Sequence, residues 1–267
     1  MNRINEAFKN KPIFMPYFPL GYPDLDTSVN VIEALARNGA DLIEVGLSFS
    51  DPLADGPVIQ KATQVALENG ITVRKSLEAV KELRSRGVDI PLVFMGYYNP
   101  ILAYGLQRFV RDAIEAGIDG FIVPDLPMEE SEEMISALSA VASSPKGEAP
   151  LIQMLAPTSS SDRMEMIARN AKGFIYLVSV TGVTGERKSI SEGLGALIQR
   201  VREHTSVPVC VGFGISTPEQ AREVGRMADG VIVGTTCVKT IGSSGTPVET
   251  ARQFAAEFRD GLKETRQ

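Results

Sequence analysis

The segment DLIEVGLSFSDPLADGP, residues 41–57, decides how the whole chain is interpreted. It starts as an apolar strand with a single acid, Glu44, and turns at Gly46 into a loop that carries Asp51 and Asp55. A carboxylate within a buried strand costs free energy unless it is paired or used in chemistry. Because further carboxylates follow just beyond the carboxyl end of this strand, we interpret Glu44 and Asp55 as a catalytic acid–base pair.

Strand geometry predicts where Glu44 points. Side chains alternate between the two faces of a strand, so Leu42, Glu44 and Gly46 share one face. In a barrel, one face of each strand meets the interior and the other meets the surrounding helices. We therefore expect Glu44 to point into the upper barrel, with Asp55 on the loop above it.

Short β-branched runs alternate with amphipathic helical stretches along the chain, which is typical of an α/β protein. Eight strand–helix units in 267 residues predict one domain, residues 1–267, folded as a single (β/α)8 TIM barrel. A doubly wound open sheet is the alternative, although it rarely needs eight similar units. Met1–Lys11 predicts a short extra N-terminal helix and lacks the apolar core of a signal peptide. The predicted strands are Ile13–Phe18, Asp41–Val45, Pro91–Tyr97, Gly120–Val123, Pro150–Leu155, Gly173–Ser179, Pro208–Gly212 and Gly230–Gly234.

Composition restricts the class of function. The net charge is −6 and the pI about 5.1, so the sequence lacks the basic footprint expected of a protein that binds nucleic acid or an anionic membrane. No apolar run approaches the ~20 residues of a transmembrane helix. The only two cysteines, Cys210 and Cys237, exclude a disulfide framework and favour a reducing cytoplasm.

The single histidine limits the chemistry further. His204 lies at the end of a predicted helix just before a strand, where a histidine commonly interacts with the helix C-terminus. Barrel chemistry takes place at the opposite end of the strands. A three-histidine zinc site and a Ser-His-Asp triad are therefore excluded, which leaves carboxylates, tyrosines and backbone amides.

Two other kinds of chemistry agree less well with the sequence. Glu44, Asp51 and Asp55 offer the oxygen ligands that suit Mg²⁺, but neither a histidine nor an obvious fourth ligand accompanies them. Asp51 precedes Pro52 in a turn-forming pair, so we interpret Asp51 as a brace of the loop. A covalent aldolase needs a Schiff-base lysine on an upper strand, and none of the eight predicted strands contains a lysine.

Glycine-rich loops follow the seventh and eighth predicted strands, where barrels commonly bind phosphate at the N-terminus of a short helix. They read GFG at residues 212–214 and GTT at residues 234–236. Glycine lets backbone N–H groups converge on an anion, and the Thr235 hydroxyl can donate to it. Gly185, in the loop after the sixth strand, can add another amide. These glycines could instead only form tight turns, but the two loops together favour a phosphate that anchors the substrate.

Longer motifs resemble the tryptophan synthase alpha chain family over essentially the whole chain. IEVG at residues 43–46 is followed, after two free positions, by FSDPLADGP at residues 49–57, as in the family signature. Tyr176, Ser179 and GVTG at residues 182–185 are similar to the family's sixth-strand lid. GFGIS at residues 212–216 is similar to its phosphate loop. Motifs of this length, in order on the right elements, are highly specific.

The resemblance implies an alpha chain that cleaves indole-3-glycerol phosphate to indole and glyceraldehyde 3-phosphate without a cofactor, with Glu44 and Asp55 as the catalytic pair. It also implies a partner, the pyridoxal-phosphate beta chain, which receives the indole within a heterotetramer of two alpha and two beta chains. The residues implied to hold the phosphate are Gly185, Phe213, Gly214, Gly234 and Thr235. Those implied to surround the rest of the substrate are Phe18, Leu53, Met95, Tyr176 and, in the lid, Thr184.

Such a cleavage explains why two acids are needed. Carbon 3 of the indole must accept a proton, which Glu44 is placed to deliver before it takes one from the glycerol hydroxyl. Asp55 can accept a hydrogen bond from the indole N–H, which becomes more acidic as positive charge develops. One carboxyl group must therefore be protonated near neutral pH, and burial in a barrel raises a carboxyl pKa in that direction.

The sequence departs from the family pattern at three positions. Ser48 stands where members often have proline, Thr235 where serine is frequent, and Val180 where some members have arginine. The first change is expected to loosen the loop before Asp55, the second keeps the hydroxyl, and the third affects ordering of the lid.

Two other functions remain open at this point. A free-standing lyase would release indole, and a catalytically silent barrel would only bind and activate a partner. The retained Glu44 and Asp55 argue against the silent barrel. Leu53 and a predicted Asn99–Pro100 turn are expected to lie at the upper end of the barrel beside the acids. Apolar groups in that position favour binding of another chain over them.

Overall fold

The computed structural model describes residues 3–141, 149–178, 187–212 and 214–265. Eight parallel strands close into a barrel in the order β1 to β8, which confirms the predicted (β/α)8 fold. Each predicted strand segment overlaps one observed strand. The strands are β1 Ile13–Pro19, β2 Ile43–Gly46, β3 Leu92–Met95, β4 Gly120–Ile122, β5 Leu151–Leu155, β6 Ile175–Val178, β7 Val209–Gly212 and β8 Gly230–Val233.

Helices in the described part of the chain surround this barrel. Short 3-10 turns at Phe8–Asn10 and Met128–Glu130 accompany them. None of these helices combines the length and apolarity needed to cross a lipid bilayer. The helices are α1 Arg3–Ala7, α2 Leu25–Asn38, α3 Pro57–Glu68, α4 Val73–Ser85, α5 Tyr98–Tyr104, α6 Leu106–Ala116, α7 Glu132–Val141, α8 Ser161–Asn170, α9 Arg187–Arg202, α10 Pro218–Gly225, α11 Thr235–Gly242 and α12 Pro247–Lys263.

The predicted N-terminal helix is confirmed and closes the lower end of the barrel, where the strands begin. Ile4 on α1 is fully buried and packs with Ile13 and the other apolar side chains of the barrel interior. Phe8 joins the same cluster, with its ring 6.0 Å from the ring of Phe174. The interior below the site is therefore apolar.

The predicted Asn99–Pro100 turn is wrong, because both residues lie within helix α5. The carboxylate of Asp125 caps this helix, since its two oxygens accept the backbone N–H of Tyr98 at 3.0 and 3.2 Å. A proline in the first turn of a helix loses no intrahelical hydrogen bond, which is why the Pro100 signal was misleading.

Three aspartates at the lower end fix neighbouring strands to each other. Asp41, Asp119 and Asp229 each precede an even-numbered strand, and each carboxylate accepts a backbone N–H from the preceding odd-numbered strand at 2.8–3.0 Å. Asp119 also pairs with Arg3 and Arg84, and Asp229 with Lys11 and Arg202. These bonds set the strand register at the opposite end from the site.

Candidate active site

The strands' carboxyl ends surround a cavity of about 310 Å³. It receives side chains from β1, β2, β3, β6 and β8 and from the loops above β2, β7 and β8. Seven of the predicted site residues line it: Glu44, Asp55, Met95, Tyr176, Gly214, Gly234 and Thr235. Its remaining lining residues are Tyr17, Ala54, Gly56, Ile59, Ile215, Ser216, Ile232 and Thr236. Thr184, Gly185 and Phe213, which were also predicted, lie outside the described residues.

Glu44 points into the barrel, as strand alternation predicts. Its side chain is 1% exposed, and its Cα lies opposite Tyr17 on β1 and Val93 on β3. Its Oε1 is buried without a hydrogen-bond partner among the described residues. Burial, with a smaller contribution from the charge of Asp55, raises the pKa of Glu44 to about 8. The Glu44 carboxyl is therefore mostly protonated at neutral pH.

Asp55, the second acid of the pair, is less buried than Glu44. It is half-buried at the end of the loop, directly before α3, and the Tyr97 hydroxyl donates to its Oδ2 at 3.0 Å. The N–H of Ala54 donates in turn to the Tyr97 oxygen at 3.0 Å. Burial raises the pKa of Asp55, and the Tyr97 hydrogen bond offsets part of that rise. Two acids in unequal surroundings, one fully buried and one half-buried with a hydrogen bond from Tyr97, are suited to proton transfer.

Two tyrosines cover the strand ends beside these acids. A Cβ on Gly46 would lie 2.3 Å from the Tyr17 hydroxyl oxygen, and a Cβ on Gly212 would lie 2.4 Å from that of Tyr176. Both strands therefore need glycine at their upper ends. Burial raises the pKa of both tyrosines well above the usual value, so both remain neutral hydroxyls.

The structure corrects the prediction for Phe18. This side chain is fully buried on the outer face of the barrel, in the same cluster as Phe14, and its ring lies 6.2 Å from the ring of Tyr22. Tyr17 takes the position in the cavity that was predicted for Phe18. The signal that identifies Tyr17 is parity, because Ile13 and Met15 occupy the interior and Tyr17 continues their alternation.

The structure also corrects the prediction for Leu53. Its side chain is 91% exposed at the tip of the β2–α3 loop and does not line the cavity. Asp51, on the same loop, is exposed and accepts a hydrogen bond from the Ser50 hydroxyl at 2.5 Å. Among the described residues, Glu44, Asp51 and Asp55 do not form a cluster of metal ligands.

The predicted phosphate loops meet at one end of the cavity. Gly214 has a φ of +73°, a conformation that favours glycine. Gly234 precedes α11 as its N-cap and supplies no side-chain cap to that helix. The N–H groups of the first turn, which begins at Thr235, therefore need another acceptor, and an anion can provide it. Ser216 and Thr236, which lie within the quoted motifs but were not predicted as site residues, add hydroxyl groups to the cavity.

Nothing in the structure explains Ser48, one of the three departures from the family pattern. Its Oγ is buried and has no hydrogen-bond partner among the described residues. Thr235 lies at the cavity, as expected. Val180 lies outside the described residues.

Comparisons with known proteins identify the family. The family model "Tryptophan synthase alpha chain" matches residues 4–266. The chain is 47% identical over 246 residues to the tryptophan synthase alpha chain of Roseiflexus sp. (strain RS-1), covering 90% of this chain and 92% of the relative. It is 40% identical over 262 residues to that of Dehalococcoides mccartyi, covering 98% and 100% of the two chains.

Solved structures agree with the sequence comparisons. Tryptophan synthase from M. tuberculosis in its aminoacrylate-bound form matches with a TM-score of 0.86 and 32% identity, over 98% of this chain and 100% of that chain. Tryptophan synthase subunit alpha from Legionella pneumophila str. Paris matches with a TM-score of 0.87 and 32% identity, over 99% of both chains. The protein therefore belongs to the tryptophan synthase alpha chain family.

Proposed function

We propose that Glu44 and Asp55 are the residues with which this chain performs the reaction of its family. Tryptophan synthase alpha chains are lyases that cleave indole-3-glycerol phosphate to indole and glyceraldehyde 3-phosphate, and this chain is such a lyase. The observation that carries our assignment is the pair itself. A buried Glu44 with a pKa of about 8 lies in one cavity with a less buried Asp55.

In the proposed mechanism, protonated Glu44 delivers its proton to carbon 3 of the indole. The ring nitrogen then bears positive charge, which ionised Asp55 stabilises by accepting the N–H hydrogen bond. Glu44, now a carboxylate, removes the proton from the glycerol hydroxyl next to the scissile bond. The carbon–carbon bond breaks, its electron pair restores the neutral indole, and the hydroxyl carbon becomes the aldehyde of glyceraldehyde 3-phosphate.

The phosphate anchors the substrate in this proposal and takes no part in the chemistry. Gly214, Gly234 and Thr235 line the cavity at the N-terminus of α11, where backbone N–H groups suit an anion. Gly185 and Phe213 are included by family resemblance. Tyr17, Met95 and Tyr176 line the rest of the cavity and are proposed to surround the indole and glycerol parts.

Replacing Asp55 with asparagine tests its electrostatic role. Asparagine can still accept the Tyr97 hydrogen bond, so the loop is expected to keep its shape. We expect kcat to fall by roughly 10²-fold, because a neutral amide stabilises the developing charge poorly. Steady-state kinetics and the dissociation constant of glycerol 3-phosphate are the measurements, and the latter is expected to stay near the native value.

Asp51→Asn is the matched control on the same loop, since Asp51 is exposed and lies outside the cavity. It is expected to keep native kcat. If Asp55→Asn weakened glycerol phosphate binding as much as it lowered turnover, Asp55 would be a brace of the loop.

We also propose that the chain works with a beta chain, to which it passes indole for tryptophan synthesis, in a heterotetramer of two alpha and two beta chains in the cytoplasm. Leu53 supports the partner, because an apolar side chain that is 91% exposed beside the cavity is suited to cover by another protein. Leu102 on α5 adds a second apolar side chain, 46% exposed. The free, buried cysteines Cys210 and Cys237 fit a reducing compartment.

Adding the beta chain is expected to increase the rate of indole release by roughly tenfold or more, because closure of the loops excludes water and fixes Asp55. Leu53→Asp should remove most of this increase and keep the basal rate of the isolated chain. An indole-release assay with and without the beta chain measures both quantities. Full activity of the isolated chain, unaffected by the beta chain, would instead identify a free-standing lyase.

A further inference from the structure

Glu44 becomes difficult to accommodate once it has given up its proton. Its Oε1 is buried without a hydrogen-bond partner among the described residues. A neutral carboxyl tolerates such a position, but a carboxylate without a donor is much more costly. The reaction proposed above passes through that carboxylate. A donor that turns to Glu44 when it ionises would therefore lower the barrier.

Tyr17 is placed to be this donor. It lies on β1 with its Cα opposite that of Glu44, is 5% exposed, and lines the same cavity. Its hydroxyl lies over Gly46, since a Cβ there would be 2.3 Å from the oxygen. Gly46 is the next interior-facing position above Glu44 on β2. The hydroxyl is thus one step above the carboxyl group, on the side where the substrate enters.

Thr63 contacts the Tyr17 hydroxyl. Thr63 lies on α3, is 3% exposed, and forms a side-chain hydrogen bond with Tyr17. Both groups are hydroxyls, so either can donate; with Thr63 as the donor, the proton of Tyr17 is left for Glu44.

The geometry points to Tyr17 as a positioning residue that donates a hydrogen bond to the Glu44 carboxylate formed during turnover, with Thr63 orienting its hydroxyl. This inference rests on the proposed role of Glu44. The titratable groups that face Glu44 are Asp55, Tyr17, Tyr176 and Cys210. Burial raises the pKa of the last three, which keeps them neutral, and the charge of Asp55 contributes to the raised pKa of Glu44.

Tyr17→Phe tests the inference, because it keeps the ring over Gly46 and removes only the hydroxyl. We expect the pKa of Glu44 to rise by about one unit, since the ionised form loses a donor, and kcat to fall roughly tenfold. Thr63→Val should change both quantities in the same direction by a smaller amount. Tyr104→Phe is the matched control, because the Tyr104 hydroxyl bonds to Asp112 on the outer surface.

The pKa is read from the side-chain carboxyl ¹³C signal of Glu44 in glutamate-labelled chain, assigned by its absence in Glu44→Gln. An unchanged Glu44 pKa with native kcat in Tyr17→Phe would overturn the inference and leave Tyr17 as a packing residue. Unchanged values in Thr63→Val would remove Thr63 from it. Failure of the proposed function would give a different result. Glu44→Gln would then stay active, whether or not Tyr17→Phe changes the pKa of Glu44.

Discussion

Glu44→Gln is expected to lower kcat for indole release by roughly 10²-fold or more, which is the usual contribution of a single acid–base group or above it. Glutamine has nearly the same shape as a protonated glutamate, so the buried position and the cavity should be kept. It cannot deliver a proton to carbon 3 of the indole, nor accept one from the glycerol hydroxyl. Both proton transfers of the proposed mechanism are therefore lost, while the affinity for glycerol 3-phosphate should stay near the native value.

Glu6→Gln is the matched control for this variant. Glu6 also has a buried carboxylate oxygen without a hydrogen-bond partner among the described residues, but it lies on α1 at the lower end of the barrel and its other oxygen pairs with Lys9. Its replacement should leave turnover unchanged. Activity of Glu44→Gln within a few-fold of native would remove Glu44 from the mechanism.

The position of Glu44 was predictable because strand alternation has a period of two. In a barrel strand, Glu44 must share a face with Leu42 and lie opposite Ile43 and Val45. The observed clusters place Leu42 inside the barrel and Ile43 and Val45 on its outer face. The eight strands were predictable for a related reason, since buried parallel strands are short β-branched runs whose ends are marked by glycine and proline.

The same rule explains the error at Phe18. Neighbouring aromatic residues point to opposite faces, so a choice of one position instead of the next moves the side chain out of the cavity. Family resemblance did not settle that choice, whereas the parity of Ile13, Met15 and Tyr17 would have done so. The steric fit between Tyr17 and Gly46 joins residues on different strands, and only the folded barrel reveals it.

The hydrogen bond between Tyr97 and Asp55 could not be predicted from sequence either. The two residues are 42 positions apart, and their contact depends on how the β2–α3 loop folds back over β3. Leu53 illustrates the same limit, because its position on a loop does not indicate whether it faces the cavity or solvent. Loop side chains lack the periodicity that orients those of strands.

Glu44 is also expected to make the stability of the protein depend on pH. Its pKa rises from the usual value near 4.5 to about 8 on folding, so between these values the folded state keeps a proton that the unfolded chain releases. The contribution of Glu44 to stability is therefore fully present below about pH 4.5 and is lost as the pH rises toward 8. Glu44→Gln removes this dependence, because glutamine does not ionise.

We therefore expect the free energy of unfolding of Glu44→Gln to increase relative to that of the native chain as the pH rises. The shift from pH 4.5 to pH 9 should be on the order of 4 kcal/mol. Urea unfolding of both chains at pH 4.5, 7 and 9 measures it, and using the difference cancels most contributions from the other acids. Parallel curves across this range would show that Glu44 ionises in the folded protein as it does in the unfolded chain. Glu44 would then also be ionised at neutral pH and unable to deliver a proton, because the pH dependence of stability and the protonation of Glu44 both come from its raised pKa.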